Sequence, residues 1–455
     1  MKLTAFIIFV FTSSLAQTQP KVFTEAAFIS TLKKYHPVVK QAANDVKIAQ
    51  AKVLAVRGQF DPVLKADNSR KEFDGLSYYD QNTTELKVPV WYGIDLYAGN
   101  EDLTGSKLNP EKTKGSVSYV GFSFPVVQNF IIDKRRATLQ QAKIYRDLSE
   151  AERKIAVNNL VLEGLKAYWN WWEQYKTTTL INAALDNAEK RFKMIKTAFL
   201  TGDRPAIDTL EALTQIQSIA IRQSEVNAAL IKATLELSTF LWKEDNEQYD
   251  LPPSVMPQDV TNDNPVMLDQ LLQQAAQHPE LVQYNYKLKA LDIDKKLKLQ
   301  SLVPKVDLKY NQLDYNLGKA VSSSWFQNNY RFGISLSMPL RLSEGRGEYQ
   351  QAKLKIDQTR LEQVNKQVQV YNKVKQYFTD WQQTGIQLTL QNNLVNNILI
   401  LQKGEETRFS IGESSLFLIN TREMKTIETK QKLIELQAKN QKAAIHMKWA
   451  AGLLY

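Results

Sequence analysis

The stretch "YRFGISLSMPL" (Tyr330–Leu340) alternates almost without fault. Tyr330, Phe332, Ile334, Leu336, Met338 and Leu340 fall on one side, and Arg331, Gly333, Ser335 and Ser337 on the other. A period of two reads as a strand with one apolar face. A protein core and a lipid bilayer both ask for this pattern, so the rest of the chain must choose between them.

The chain has 455 residues and a formal net charge of +10, with a mean hydropathy of −0.37. That balance argues against a polytopic helical membrane protein, and no window past the N-terminus offers ~18 uninterrupted apolar residues. "MKLTAFIIFVFTSSLAQTQP" reads as an export signal: Lys2, then the apolar run Leu3–Phe11, then Ser14-Leu15-Ala16 as a small-residue cleavage site. Residues 1–16 are the expected signal peptide, and the mature chain is expected to begin at Gln17. There is no cysteine, which excludes disulfides, thiolate metal sites, cysteine catalysis and a lipid-modified cysteine. The basic excess is spread over long helical faces, so no nucleic-acid partner is expected.

The plan is written twice. "YHPVVKQA" (35–42) answers "QHPELVQY" (277–284), and "GFSFPV" (121–126) answers "GISLSMPL" (333–340). "QQAK" occurs at 140–143 and again at 350–353, and "FLTG" ending at Gly202 answers "FSIG" ending at Gly412. The expected division is a first repeat over 17–250, a proline-rich linker over 251–265 and a second repeat over 266–455. Within the linker, Asn264 reads as a helix cap with Pro265 in the first turn.

No proline interrupts 126–204, and none follows Pro339. Residues 129–201 and 343–411 are therefore each predicted to form a helix ~100 Å long at 1.5 Å per residue. Leu148, Ile155, Leu162 and Trp169 fall seven apart, the spacing of coiled-coil packing. Returning helices are expected over 204–242 and 414–453, with shorter ones over 38–57 and 279–302.

Further strands are read at 117–126, 60–67 and 305–315. "ELKVPVWYGIDL" also alternates, and either an added strand or an extracellular hairpin fits 84–97. Four to six strands cannot close alone, because membrane barrels begin at about eight and an open edge does not survive in hydrocarbon. If lipid covers the apolar faces, several chains must build one barrel.

This duplicated order of helix, strands and long helical hairpin resembles the TolC-like outer-membrane efflux protein family over essentially the whole mature chain. The resemblance rests also on the His-Pro pairs, on "IDKRRATLQQAK" (131–142) and on the glycine turns in "TGDRPAIDTLEA" and "IGESSLFLINT". It implies a mixed, mainly α fold: a homotrimeric twelve-stranded outer-membrane β-barrel continuing into a long periplasmic α-barrel. It implies passive conduction of drugs, metals or proteins, powered by an inner-membrane transporter and docked by a periplasmic adaptor (membrane fusion) protein, with no cofactor. Leu200, Thr201, Gly202, Ser410, Ile411 and Gly412 become adaptor-binding tips, or residues that merely close the hairpins. Asp208 and Glu211 become a periplasmic acidic constriction, or a solvated helix face; the matching places in the second repeat are Leu418 and Thr421. Tyr330, Phe332, Ile334, Leu336, Met338 and Leu340 become lipid-facing.

Other features have structural readings. Tyr168, Trp169, Trp171 and Trp172, echoed by Tyr377, Phe378 and Trp381, sit at helical spacing and are read as core or seam. Arg135 and Arg136 stand where strand gives way to helix, as partners for lipid phosphates or as solvated charges. His36, His278 and His446 are the only histidines, and the first two are read as helix-boundary elements. "EGRGEY" (344–349) lacks both the third glycine of a dinucleotide fingerprint and a Walker lysine. An exported or peripheral helical coiled-coil scaffold without transport activity is the alternative, and no catalytic or metal-binding constellation is visible.

Overall fold

A computed structural model describes residues 22–260 and 267–455. The signal-peptide segment and the Asn264–Pro265 cap lie outside these residues. In chain order, β1 (Val22–Phe23) is followed by α1 (Glu25–Tyr35) and α2 (Pro37–Arg57). Four strands come next: β2 (Val63–Phe73), β3 (Leu76–Pro89), β4 (Asp95–Thr104) and β5 (Gly115–Pro125). The first long hairpin is α3 (Lys134–Leu200) and α4 (Ala206–Ser238). Then come β6 (Met256–Pro257), α5 (Leu268–Ala275), α6 (Pro279–Gln300), β7 (Lys305–Asp314), α7 (Leu317–Ser322) and β8 (Tyr330–Ser337). The second long hairpin, α8 (Ser343–Ser410) and α9 (Leu416–Ala450), ends the chain. The chain divides into two compact units, one holding 157–272 and 373–455 with the N-terminal segment, the other holding 41–156 and 273–372.

The first unit is helical. Tyr168, Trp169, Trp171 and Trp172 are all buried, packed with Phe28, Leu32, Leu237 and Leu241. The aromatic quartet is therefore core, and its polar ends anchor the chain around it. The Tyr168 hydroxyl donates to the Phe23 carbonyl at 2.8 Å, and the Trp169 indole donates to Glu25 at 2.9 Å. The Trp172 indole reaches the Gln258 carbonyl at 3.0 Å. These bonds hold β1 and β6, which pair in parallel, against α3. The echo is looser: Tyr377 stacks on His446 with centroids 4.8 Å apart, and Tyr377, Phe378 and Trp381 are only half-buried.

The His-Pro pairs act as caps. The Nδ1 atoms of His36 and His278 accept from the backbone N–H of Val38 and Glu280, at 3.2 and 3.1 Å. Each imidazole thus satisfies a donor that the first helical turn leaves free.

The second unit holds one six-stranded antiparallel sheet in the order β2-β3-β4-β5-β7-β8. Four helical segments belong to the same unit. Val53 and Val56 of α2 pack on Leu139 and Ala142 of α3. Ile293 of α6 packs on Ile132 and Ala137, beside the start of α3. Lys298 and Glu280 of α6 pair with Glu348 and Lys366 of α8 at 2.9 and 3.3 Å.

Several expectations change. The strand opening at Tyr330 stops at Ser337, so Met338 and Leu340 lie beyond the ladder; Pro339 has no N–H to give, and Leu342 has φ +51° just before α8. The segment 84–97, expected as an added strand or an extracellular hairpin, belongs to two added strands of the ladder. It is the end of β3, a tight turn at Trp91–Gly93 and the start of β4. Strand β2 also runs beyond the expected 60–67, turning into β3 through Asp74-Gly75, both at positive φ, which is hairpin-turn chemistry.

Candidate functional site

The sheet has two chemically different faces, read from its register. Val88, Leu96, Phe122, Tyr310 and Phe332 form one cross-strand row, and Leu64, Leu86, Ala98 and Val120 the next. Ile334 and Leu336 continue the same face along β8, and every residue of that strand is exposed. The other face carries Lys87, Tyr97, Gly121, Asn311 and Arg331 in register. Its charges are paired: Asp95 accepts from Lys87 and from Arg135, each at 2.8 Å. Glu85 accepts from the Tyr119 hydroxyl at 2.8 Å, and Glu101 from Gln81 at 3.0 Å. One face is suited to hydrocarbon and the other to water.

The apolar face is not bare throughout. The segment after β7 folds back on it: Trp325 stacks on Tyr310 at 5.3 Å between centroids, and Phe326 lies at 4.1 Å. Tyr310 is completely covered as a result. A second aromatic group, Phe60 on Trp91 and Tyr92 on Phe130, gathers where strands meet helices. Aromatic girdles at both rims are what a membrane strand set carries.

Arg135 and Arg136 do not wait for lipid phosphates. Arg135 is committed to Asp95, and Arg136 is buried. Arg136 bonds Asp133 at 3.1 Å and donates to the Asn129 and Phe130 carbonyls at 2.6 and 2.9 Å. Asp133 in turn caps the start of α3 by accepting from the Arg136 N–H. These residues fix the corner from strand to helix.

The hairpin tips belong to the first unit and are built alike. Gly202 and Gly412 have φ +85° and +82°, and their N–H groups donate to the Phe199 and Phe409 carbonyls. Asp203 and Glu413 each bond back five residues, to Ala198 and Arg408, at 2.8 Å. This is a glycine-terminated helix end, and a Cβ at either glycine would meet open space. Only the backbone angle therefore calls for glycine. Leu200 and Ile411 are exposed at 75% and 65%. Thr201 turns its hydroxyl inward to Asp203 and to the Ala198 carbonyl, and Ser410 to the Thr407 carbonyl, so these two shape the tip.

Asp208 and Glu211 lie on the first turns of α4. Asp208 is not a bare charge: Arg204 stands 3.6 Å from it, and that guanidinium also covers the Phe409 ring. Glu211 accepts from Asn420 at 3.5 Å. Behind them Arg191 holds Glu423 through two bonds, a network with no signal in sequence spacing because its members come from different hairpins.

Among the described residues no helix is long and apolar enough to cross a membrane, and no cluster has the make-up of a metal site.

Residues 28–241 match the family described as outer membrane efflux protein. No curated protein sequence matches the chain. Solved structures with the same fold include CusC, at 15% identity and TM-score 0.67, covering 94% of this chain and 91% of that one. The Campylobacter jejuni CmeC outer membrane channel is 14% identical, with TM-score 0.67 and coverages of 95% and 86%. The open-state Neisseria gonorrhoeae MtrE outer membrane channel gives 14%, 0.67, 94% and 88%. The family is one of channels rather than of enzymes. The outer membrane efflux protein family thus matches just under half of this chain, and the fold of the outer-membrane channels runs along nearly all its length.

Proposed function

We propose that the chain is the outer-membrane duct of a tripartite efflux or type I secretion system. In this reading three copies close a β-barrel in the outer membrane and a helical barrel in the periplasm. A periplasmic adaptor docks at the hairpin tips, an inner-membrane transporter supplies energy, and the duct conducts passively. The precursor carries its export signal over 1–16, and the repeats 17–250 and 266–455 flank the linker.

The observation that carries the reading is the sheet with a water-suited face, a hydrocarbon-suited face and two free edges. Every residue of β2 and of β8 is exposed. Such a sheet is untenable alone in a bilayer, where unpaired N–H and C=O groups have no water, and in water its edges invite pairing. Pairing with further copies resolves both problems. An apolar stripe on α8 supports this: Leu354, Leu361 and Val368 are seven apart and all exposed, the spacing of a seam with no partner among the described residues. A soluble scaffold gives no account of the apolar sheet face.

The test is reconstitution. Protein extracted from outer membranes and added to planar bilayers should open steady conductances and migrate as a trimer. A protein that is monomeric and conducts no ions would refute the reading.

A further inference from the structure

The strand count departs from the twelve-stranded wall that the family resemblance implies. Six strands form one ladder, and β3 and β4 stand inside it, between β2 and β5. We propose that each copy contributes all six strands to the pore wall, so that three copies close a wall of eighteen. This rests on the trimeric channel reading above and gives it a pore dimension.

Three observations converge. The first is continuity. Leu86, Val88, Leu96 and Ala98 of the inner hairpin lie in the same apolar rows as Leu64, Val120 and Phe122. On the other face Tyr119 of β5 reaches Glu85 of β3, and Arg331 of β8 stands 3.9 Å from Glu101 of β4. The hairpin is thus tied across the wall on its polar side and shares the apolar side. Above these rows its outward residues turn polar, with Asn82, Asn100 and Asp102, so the strand tops stand clear of hydrocarbon.

The second is parity. Neighbours alternate in direction through all six strands, so β8 of one copy meets β2 of the next antiparallel. An even count lets the ring close without a parallel joint, and bacterial outer-membrane barrels keep even counts.

The third is girth. In the sheet-bearing unit α2, α3, α6 and α8 lie side by side, which makes twelve helices around a three-fold axis. At ~9.5 Å between axes such a ring is ~37 Å across. Eighteen strands ~4.8 Å apart and tilted ~40° make a ring ~36 Å across, whereas twelve at that tilt make ~24 Å. Eighteen strands therefore meet the helices without a step, in a barrel about 1.5-fold wider than twelve would give at that tilt.

Single-particle imaging of the intact protein from outer membranes reads the count directly. Eighteen strands are expected. A trimer with twelve, and with β3–β4 outside the wall, overturns this inference and leaves the channel reading standing; a protein that is not a trimer overturns both. The absence of native cysteine allows a second readout in intact membranes. Ala66→Cys with Thr84→Cys, and Asn100→Cys with Ser118→Cys, should each form a disulfide, since these residues face each other in register. A disulfide between Ala66→Cys and Ser118→Cys instead would mean that β2 meets β5 directly, and would contradict the eighteen-stranded wall.

Discussion

The Arg191 guanidinium holds both carboxylate oxygens of Glu423, at 2.6 and 3.2 Å, although 232 residues separate them. Arg191 comes from α3 and Glu423 from α9, so this pair, buried at Glu423 and half-buried at Arg191, ties one hairpin to the other close to their tips. Removing Glu423 leaves the partly buried Arg191 without its carboxylate, at a cost of ~1–3 kcal/mol. Glu423→Ala should therefore lower the unfolding midpoint clearly. Arg191→Met with Glu423→Met should recover much of the loss, because both charges leave together. Thermal unfolding of the purified variants checks this, and a double variant as unstable as the single one would show that the pair matters for another reason.

Charge selectivity at the tips should depend on Arg204 as much as on Asp208. With a carboxylate facing the entrance, Asp208→Lys lowers cation preference. Because Arg204 stands 3.6 Å from that carboxylate, Arg204→Ala should raise cation preference by unmasking it. Reversal potentials of single channels under a salt gradient measure both signs. Unchanged selectivity in both variants would remove Asp208 from the constriction.

Adaptor docking should be separable from folding. Leu200 and Ile411 are exposed apolar side chains beside the tip glycines, so Leu200→Asp with Ile411→Asp should leave the unfolding midpoint nearly unchanged. The same pair should abolish capture of the adaptor in cross-linking from whole cells. Undiminished capture would leave these residues as hairpin closers only.

Acid should weaken the helical unit. Burial among Phe240 and Trp242 lowers the pKa of the His36 imidazole below its ordinary value, so the folded protein holds it neutral. The unfolded chain protonates more readily, and His36 therefore contributes fully above pH ~6.5 and progressively less as the pH falls below that. His446 is shifted the same way by burial, with Lys166 adding to the effect. Unfolding midpoints should fall between pH 7 and 5, and His36→Asn, which retains a capping side chain, should flatten part of that slope. A midpoint that rises toward pH 5 would contradict this.

What the sequence shows and what it hides follow from how each element is stabilised. The long helices are legible to within a few residues because proline is absent and glycine marks their ends. Strand β8 is legible because its alternation is unbroken from Tyr330 to Ser337, with every residue exposed. The outer part of the hairpin β2–β3 is hidden because "NSRKEF" and "DQNT" are largely polar, and Asp74-Gly75 is its local mark. The alternation through 84–97 survives a turn: Pro89 pairs with Asp95, so residues of like parity keep to one face on both sides of it. The bonding of Arg135 to Asp95 and of Glu211 to Asn420 is invisible, since those partners come from a strand and from the other hairpin, whereas Arg136 and Asp208 pair at helical spacing with Asp133 and Arg204.

The central claim is that Ile334 faces lipid while Ser335 faces the pore. In the cysteine-free chain, Ile334→Cys and Ser335→Cys each take one fluorescent label, and quenchers are supplied in the acyl chains or in water. The label at 334 should respond to the acyl-chain quencher and the label at 335 to the aqueous one. Equal aqueous quenching at both positions would contradict the account.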